Sequence, residues 1–165
     1  DVISFTAFNI TNITYSNWII RDTNNTADTM LGNNQINCIF YLNSNTNITI
    51  CASGGDTSAL TTTMPSTETW HHIAVTYNDS TFDSTLYIDG VNAGTANNEF
   101  IFDAGGNDTP RRIGLSGGGS GPFDGTIDEV RLSNVVRSAD WIKTEYNNQS
   151  KPSLFYGVGG QEKRF

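Results

Sequence analysis

Phe123-Asp-Gly-Thr-Ile-Asp-Glu-Val-Arg-Leu-Ser-Asn-Val-Val-Arg-Ser-Ala-Asp-Trp-Ile-Lys-Thr-Glu-Tyr146 carries the decisive fold signal of this chain. Asp124-Gly125 is turn chemistry, since both residue types tolerate backbone angles that most others avoid. Residues 126–133 set Ile127, Val130 and Leu132 among polar neighbours, the composition of a half-buried strand. Ser138 then offers a side-chain oxygen that can cap a helix. Asp140 falls in its first turn, where the helix dipole favours negative charge. Trp141, Ile142, Glu145 and Tyr146 lie near one face, so the aromatic and aliphatic members are expected to pack on the rim of a sheet structure.

Outward from this segment, strand signals recur at short intervals with turn residues between them. Trp70-His-His-Ile-Ala-Val-Thr-Tyr77 and Ser84-Thr-Leu-Tyr-Ile-Asp89 form the clearest pair, joined through 78–83. Asp89-Gly90 is a two-residue hairpin signal leading into 91–95. Strand composition also marks 3–10, 16–21, 36–42, 47–52 and 111–115, the last preceding a glycine-rich loop at 116–122. Residues 58–65 are Thr-rich, an edge strand or a loop. Lys151-Pro152 ends the helix, and 153–158 is a last strand-like run. Many short strands with frequent turns predict an all-β sandwich or barrel. No repeat or linker interrupts the 165 residues, so they read as one domain, 1–165, large enough to bury a core.

The formal net charge of −8 argues against nucleic acid, whose phosphates require Lys and Arg. An acidic surface suits cationic partners or Ca²⁺. No apolar run reaches the length of a membrane-spanning helix, so membrane insertion is not expected. Asp1-Val-Ile-Ser-Phe reads as the start of a strand and not as a signal peptide, so the chain is expected to be a mature or excised piece of something longer.

Cys38 and Cys51 flank 39–50. If Ser44-Asn45 centres a hairpin turn, the two cysteines lie directly opposite one another, close to disulfide range. The other reading is two buried thiols in a reducing compartment. An extracellular composition favours the disulfide, worth about 3 kcal/mol for so short a loop. Asn9, Asn12, Asn24, Asn47, Asn78, Asn107 and Asn148 each begin an Asn-x-Ser/Thr triplet, a glycosylation acceptor in secreted proteins. A chain this rich in Asn, Ser and Thr also produces such triplets by chance.

Two blocks carry a family resemblance. Thr69-Trp-His-His-Ile-Ala-Val-Thr-Tyr77 with Leu86-Tyr-Ile-Asp-Gly-Val91 is the first. Gly125-Thr-Ile-Asp-Glu-Val-Arg-Leu-Ser-Asn134 with Arg137-Ser-Ala-Asp-Trp-Ile-Lys-Thr-Glu-Tyr146 is the second. Together they resemble the core and closing strand of laminin-G-like, concanavalin A-like jelly rolls of the secreted prokaryotic type. The resemblance implies a two-sheet antiparallel jelly-roll β-sandwich with one short C-terminal helix, and it places Trp70 and Trp141 in the core. In that family one or more strands precede the one that resembles 3–8, so this chain looks short by its first strand. Three readings stay open. An earlier segment lies outside this sequence, 154–158 fills the gap, or a neighbouring chain donates a strand and so builds a polymer.

Candidate sites are few. His71 and His72 are strand neighbours facing opposite ways, ill placed to share one metal ion. The same alternation separates Asp128 from Glu129, whereas glycoside hydrolysis needs two carboxylates about 5–9 Å apart across a cleft. The Glu-x-Asp-x-x-Glu motif of related glucanases is absent, and an enzyme is not expected. The resemblance implies a possible Ca²⁺ site, for which Asp103, Asn107 and Asp108, with Asp124 and Asp128, are the candidates. Asp, Asn and Gly clusters are also ordinary turn residues. For sugars, Tyr15, Trp18 and Phe82 are the remaining loop-proximal aromatics. The reading is a non-catalytic extracellular or cell-surface module for adhesion or structure, self-assembling by strand exchange. Its partners would be its own copies, other surface proteins or glycans. The alternative is a carbohydrate-binding accessory domain of a larger secreted protein.

Overall fold

The computed structural model describes residues 3–5, 12–22, 29–33, 40–44, 47–51, 58–63, 65–97, 111–115 and 121–155. These form a β-sandwich of two antiparallel sheets. One has the order β1 (Ile3–Phe5), β10 (Arg111–Ile113), β3 (Thr29–Asn33), β4 (Phe40–Ser44), β5 (Asn47–Cys51) and β6 (Ser58–Thr63). The other runs β11 (Gly125–Ser133), β2 (Asn12–Arg21), β7 (His71–Asn78), β8 (Asp83–Ile88) and β9 (Val91–Asn97). Alternation along each strand sends one set of side chains between the sheets. Ile13, Tyr15, Ile19, Ile73, Val75, Tyr77 and Leu86 of the second sheet meet Met30, Leu31, Ile48 and Ile50 of the first. Each such aliphatic side chain contributes about 1.5–3 kcal/mol by burial.

The Thr-rich stretch is an edge strand, β6, as one of its two expected forms. β3 had no counterpart among the expected strands. Its Thr-Met-Leu-Gly-Asn is too short to show alternation, although Met30 and Leu31 are both in the core. β4 and β5 form the expected hairpin, but Phe40 opposes Ile50 and Leu42 opposes Ile48. That register is one residue away from the one that would set Cys38 against Cys51. Cys38 itself lies outside the described residues, as do Asn9, Asn24, Asp103, Asn107 and Asp108.

The Asp89-Gly90 turn has positive φ at both positions, +52° and +74°, the geometry that matches strand twist in a two-residue hairpin. Asp89 secures it: its Oδ1 accepts the His72 backbone N–H at 2.9 Å, and its Oδ2 lies 2.7 Å from His71 Nδ1. The two histidines do point apart. His71 braces this turn, and His72 is fully buried on the opposite face of β7.

β11 contains the irregularity that makes its own pattern work. Ile127 and Leu132 oppose Ile19 and Tyr15, both core residues. Between Asp128, opposite Trp18, and Arg131, opposite Ser16, the register shifts by one. Glu129 is the extra residue, with φ +53° and its N–H bound to Asp128 Oδ1 at 2.7 Å. The bulge brings Val130 onto the core beside Ile127 and Leu132. Strand alternation therefore does not separate Asp128 from Glu129, which corrects the reason first given against them as a pair. Each is engaged locally instead, Asp128 by that N–H and Glu129 by the Arg131 guanidinium. On its other side β11 pairs with no strand among the described residues; its one neighbour is β2 of the same chain.

The helix, α1 (Ala139–Ser150), is capped as expected: Ser138 Oγ accepts the Trp141 N–H at 3.2 Å. Ser138→Ala should cost about 1 kcal/mol in a denaturation experiment. α1 does not sit on the rim. It lies across the outer face of the second sheet, with Ile142 packed on Ala74 and Tyr87. The first half of the strand-like run after it is corrected too, since α2 (Pro152–Phe155) is a helical turn; 156–158 lie outside the described residues. Proline at a first helical position is pre-set for helix, and it outweighs the weak strand composition of Ser153 and Leu154. Among the described residues, no helix is long and apolar enough to cross a membrane.

Candidate functional site

The outer face of the second sheet presents Ser16 and Trp18 from β2, His72 and Ala74 from β7, and Asp128 and Arg131 from β11. α1 covers part of that face and leaves a groove of about 440 Å³ along one flank. Trp18, Trp70, Asp128, Tyr146, Gln149 and Ser150 line it. The helical contributors follow i, i+3, i+4 spacing, which puts Tyr146, Gln149 and Ser150 on one edge of the helix.

The floor is rigid. Trp18 stacks on Tyr146 with ring centroids 5.8 Å apart and an interplanar angle of 24°, and meets His72 edge-on at 5.4 Å. Its indole N–H donates to Gln149 Oε1. Trp70 stands just before β7 and not within it, so strand pairing does not draw it into the core. It is 43% exposed, which overturns the core position that the resemblance assigned to it. Trp141 is half-buried, with the Arg137 guanidinium 4.6 Å above its ring.

Beneath the helix is a buried polar knot. Glu145, 8% exposed, accepts on Oε1 from Arg131 Nη1 at 3.0 Å and from Ser16 Oγ at 3.3 Å. Its Oε2 faces His72 Nε2 at 3.6 Å. Burial opposes ionisation and is the largest single influence on this carboxyl. His72 and Arg131 together outweigh it and hold the group below the ordinary glutamate range. A smaller hollow of about 280 Å³ on the other flank of α1 is lined by Arg131, Trp141, Thr144 and Asn148, among others.

Of the aromatics expected at a sugar site, only Trp18 reaches the groove. Tyr15 is a core residue, 1% exposed, because it occupies an inward position of a strand longer than expected; burial pushes its phenol above the usual tyrosine range. Phe82 is exposed in the β7–β8 turn, past Asn78, which lies six residues along β7 from His72 and thus roughly 20 Å away. Asp128, a calcium candidate, lines the groove beside Trp18. Asp124 is half-buried and engaged elsewhere. Among the described residues no group of three or more His, Cys, Asp or Glu is placed to hold a metal ion. Among the described sequons, Asn12 Oδ1 accepts the Asp79 N–H and Asn78 Oδ1 the Ser80 N–H, while Asn47 and Asn148 are half-buried. Trp70, Tyr146 and Gln149 were missed. The i, i+3 spacing of Tyr146 and Gln149 was the available signal.

A family model described as the concanavalin A-like lectin/glucanases superfamily matches residues 2–143. No curated protein matches the chain. Among solved structures, a candidate carbohydrate-binding protein from Bacteroides ovatus is similar at 20% identity and a TM-score of 0.67. The match covers 86% of this chain and 43% of that one. Domain 4 of an extracellular arabinanase from Geobacillus stearothermophilus, in complex with arabinotriose, is similar at 14% identity and a TM-score of 0.57, over 83% and 67%. A Trypanosoma rangeli sialidase matches at 15% and 0.63, over 85% of this chain and 23% of its own.

Proposed function

The chain belongs to the concanavalin A-like lectin/glucanases superfamily, and from that premise we propose that it is a non-catalytic carbohydrate-binding module acting outside the cell. The observation that carries this reading is the groove beside α1. An exposed indole, Trp70, stands over a fixed aromatic floor, with carboxylate, amide and hydroxyl groups around it. Ligand sites combine apolar faces with a few well-placed polar groups in this way. Sugar rings offer both an apolar C–H face and hydroxyls. The carbohydrate-binding relatives support the reading, and the short coverage of the larger ones suits an accessory domain. Glu129 is held by the Arg131 guanidinium and is not among the described lining residues, so it does not pair with Asp128 across the groove. Calcium belongs to this proposal only through the 103–108 segment, which lies outside the described residues.

Trp70→Ala is the direct test, because an exposed side chain can be removed with little effect on folding. Affinity for a bound oligosaccharide, measured by titration calorimetry, should fall roughly tenfold or more, about 1.4 kcal/mol. Unchanged affinity with an unchanged unfolding curve would remove the groove from consideration.

Adhesion through self-assembly has one observation in its favour, a side of β11 that pairs with no strand among the described residues. Solution mass at rising protein concentration tests it, and a monomer throughout counts against it. Charged residues and a bulge on an edge strand, as at Glu129, are devices that discourage strand addition.

A further inference from the structure

The charge of the groove goes further than its shape. Six of the described residues line it, and among them Asp128 alone carries a formal charge. The carboxylate is exposed, and only its Oδ1 is committed, to the Glu129 N–H. Oδ2 takes no hydrogen bond from a described partner and stands in the same row as Trp18, directly across β2. Glu68, two residues before Trp70, is a further exposed carboxylate. The cations of this face are used elsewhere. Arg131 is held by Glu129 and Glu145 on the other flank of α1, and Arg137 lies over Trp141. Lys151 ends α1 through its backbone N–H, which bonds the Asn147 carbonyl, and is not among the described lining residues. The chain as a whole repeats the sign, with a formal net charge of −8.

We infer that this groove selects uncharged oligosaccharides and rejects those bearing carboxylate or sulfate groups, with Asp128 as the residue that sets the discrimination. The inference rests on the carbohydrate-binding reading above and names the class of sugar. A hydroxyl donates well to a carboxylate oxygen, and such charge-assisted bonds are about twice as strong as neutral ones. A uronate, sialate or sulfate placed there meets a like charge within a few ångströms, with no guanidinium or ammonium among the described lining residues to answer it. The donors that remain, the Gln149 amide and the Ser150 hydroxyl, serve a neutral sugar equally well. Specificity then arises from an unfavourable contact with the wrong ligand as much as from a favourable one with the right ligand.

The test uses the full chain and three trisaccharides of matched size: arabinotriose, trigalacturonate and fully deacetylated chitotriose. Affinities are measured by calorimetry at pH 7 in low and moderate salt. The neutral sugar should bind about tenfold or more tighter than trigalacturonate, with the gap narrowing as salt screens the repulsion. Asp128→Asn keeps the Oδ1 acceptor for the bulge and removes only the charge. It should shrink the neutral-to-acidic ratio at least about threefold while leaving the unfolding curve in place. Equal or tighter binding of trigalacturonate overturns the inference. So does a ratio unmoved by Asp128→Asn, or tightest binding of the amine-bearing sugar, which would make Asp128 an ion-pairing group. If none of the three binds, the carbohydrate-binding reading itself falls and takes this inference with it. Binding without discrimination removes the charge selection alone.

Discussion

Glu145→Ala should destabilise the chain by about 3 kcal/mol or more, lowering the thermal midpoint by roughly 10 °C. The Glu145 side chain is 6% exposed and is where the helix is tied to the sheet. Removing its carboxylate takes the hydrogen-bond acceptor from Ser16 and one of the two carboxylate partners from Arg131. It also leaves the His72 ring, without a hydrogen bond at either nitrogen, facing a void. A loss under about 1 kcal/mol would mean that Ile142 and Tyr146 hold the helix by packing alone. The same group gives a pH signature. Its folded carboxyl titrates below the ordinary glutamate value of 4.5, so its contribution is complete above that value and fades as pH falls through the lowered one. Denaturant melts from pH 6 down to pH 2.5 should show this as part of the acid slope, and Glu145→Gln should flatten that part. The groove ought to respond as well, because Tyr146, next to Glu145, forms its floor with Trp18.

Gly125→Ala should be comparably severe, at about 3 kcal/mol or more. At φ +144° an L side chain is strained, and an added Cβ would stand 2.1 Å from the Ile20 carbonyl oxygen, inside any tolerable contact. The obstacle is backbone of the paired strand, which cannot rotate aside as a side chain can. Thr126→Ala, one residue on at an exposed position, should stay within about 0.5 kcal/mol. Urea denaturation of the two variants separates a steric effect at Gly125 from a general sensitivity of this strand end. Similar small losses in both would sink the argument.

Trp70-His-His-Ile-Ala-Val-Thr-Tyr77, Asp89-Gly90 and Ser138-Ala-Asp-Trp announced their structures in advance because each acts through local physics: alternation, a turn needing positive φ, a helix cap. β3 did not, since five residues around a glycine declare their burial only when another sheet lies over them. The site was less legible for a related reason. Trp18 and Asp128 are 110 positions apart and meet only through the β2–β11 register, while the helix that completes the groove docks by contacts no sequence spacing reveals. The family resemblance put Trp70 in the core; one residue of offset from the last β2–β7 pair leaves it outside. Tyr15 misled in the opposite direction. The strand that contains it extends back to Asn12, so an aromatic that read as loop-proximal is an inward-facing core residue.

The bulge at Glu129 divides the closing strand by parity. Before it, the odd-numbered Ile127 faces the core; after it, the even-numbered Val130 and Leu132 do. If the same residues paired regularly, without the bulge, the two halves would be out of phase. Either Asp128 would turn inward and abandon the groove, or Arg131 would turn inward and abandon Glu145. The left-handed bend at Glu129, which takes the extra residue out of the pairing, thus keeps the groove-facing end and the helix-holding end of the strand on the same side of the sheet.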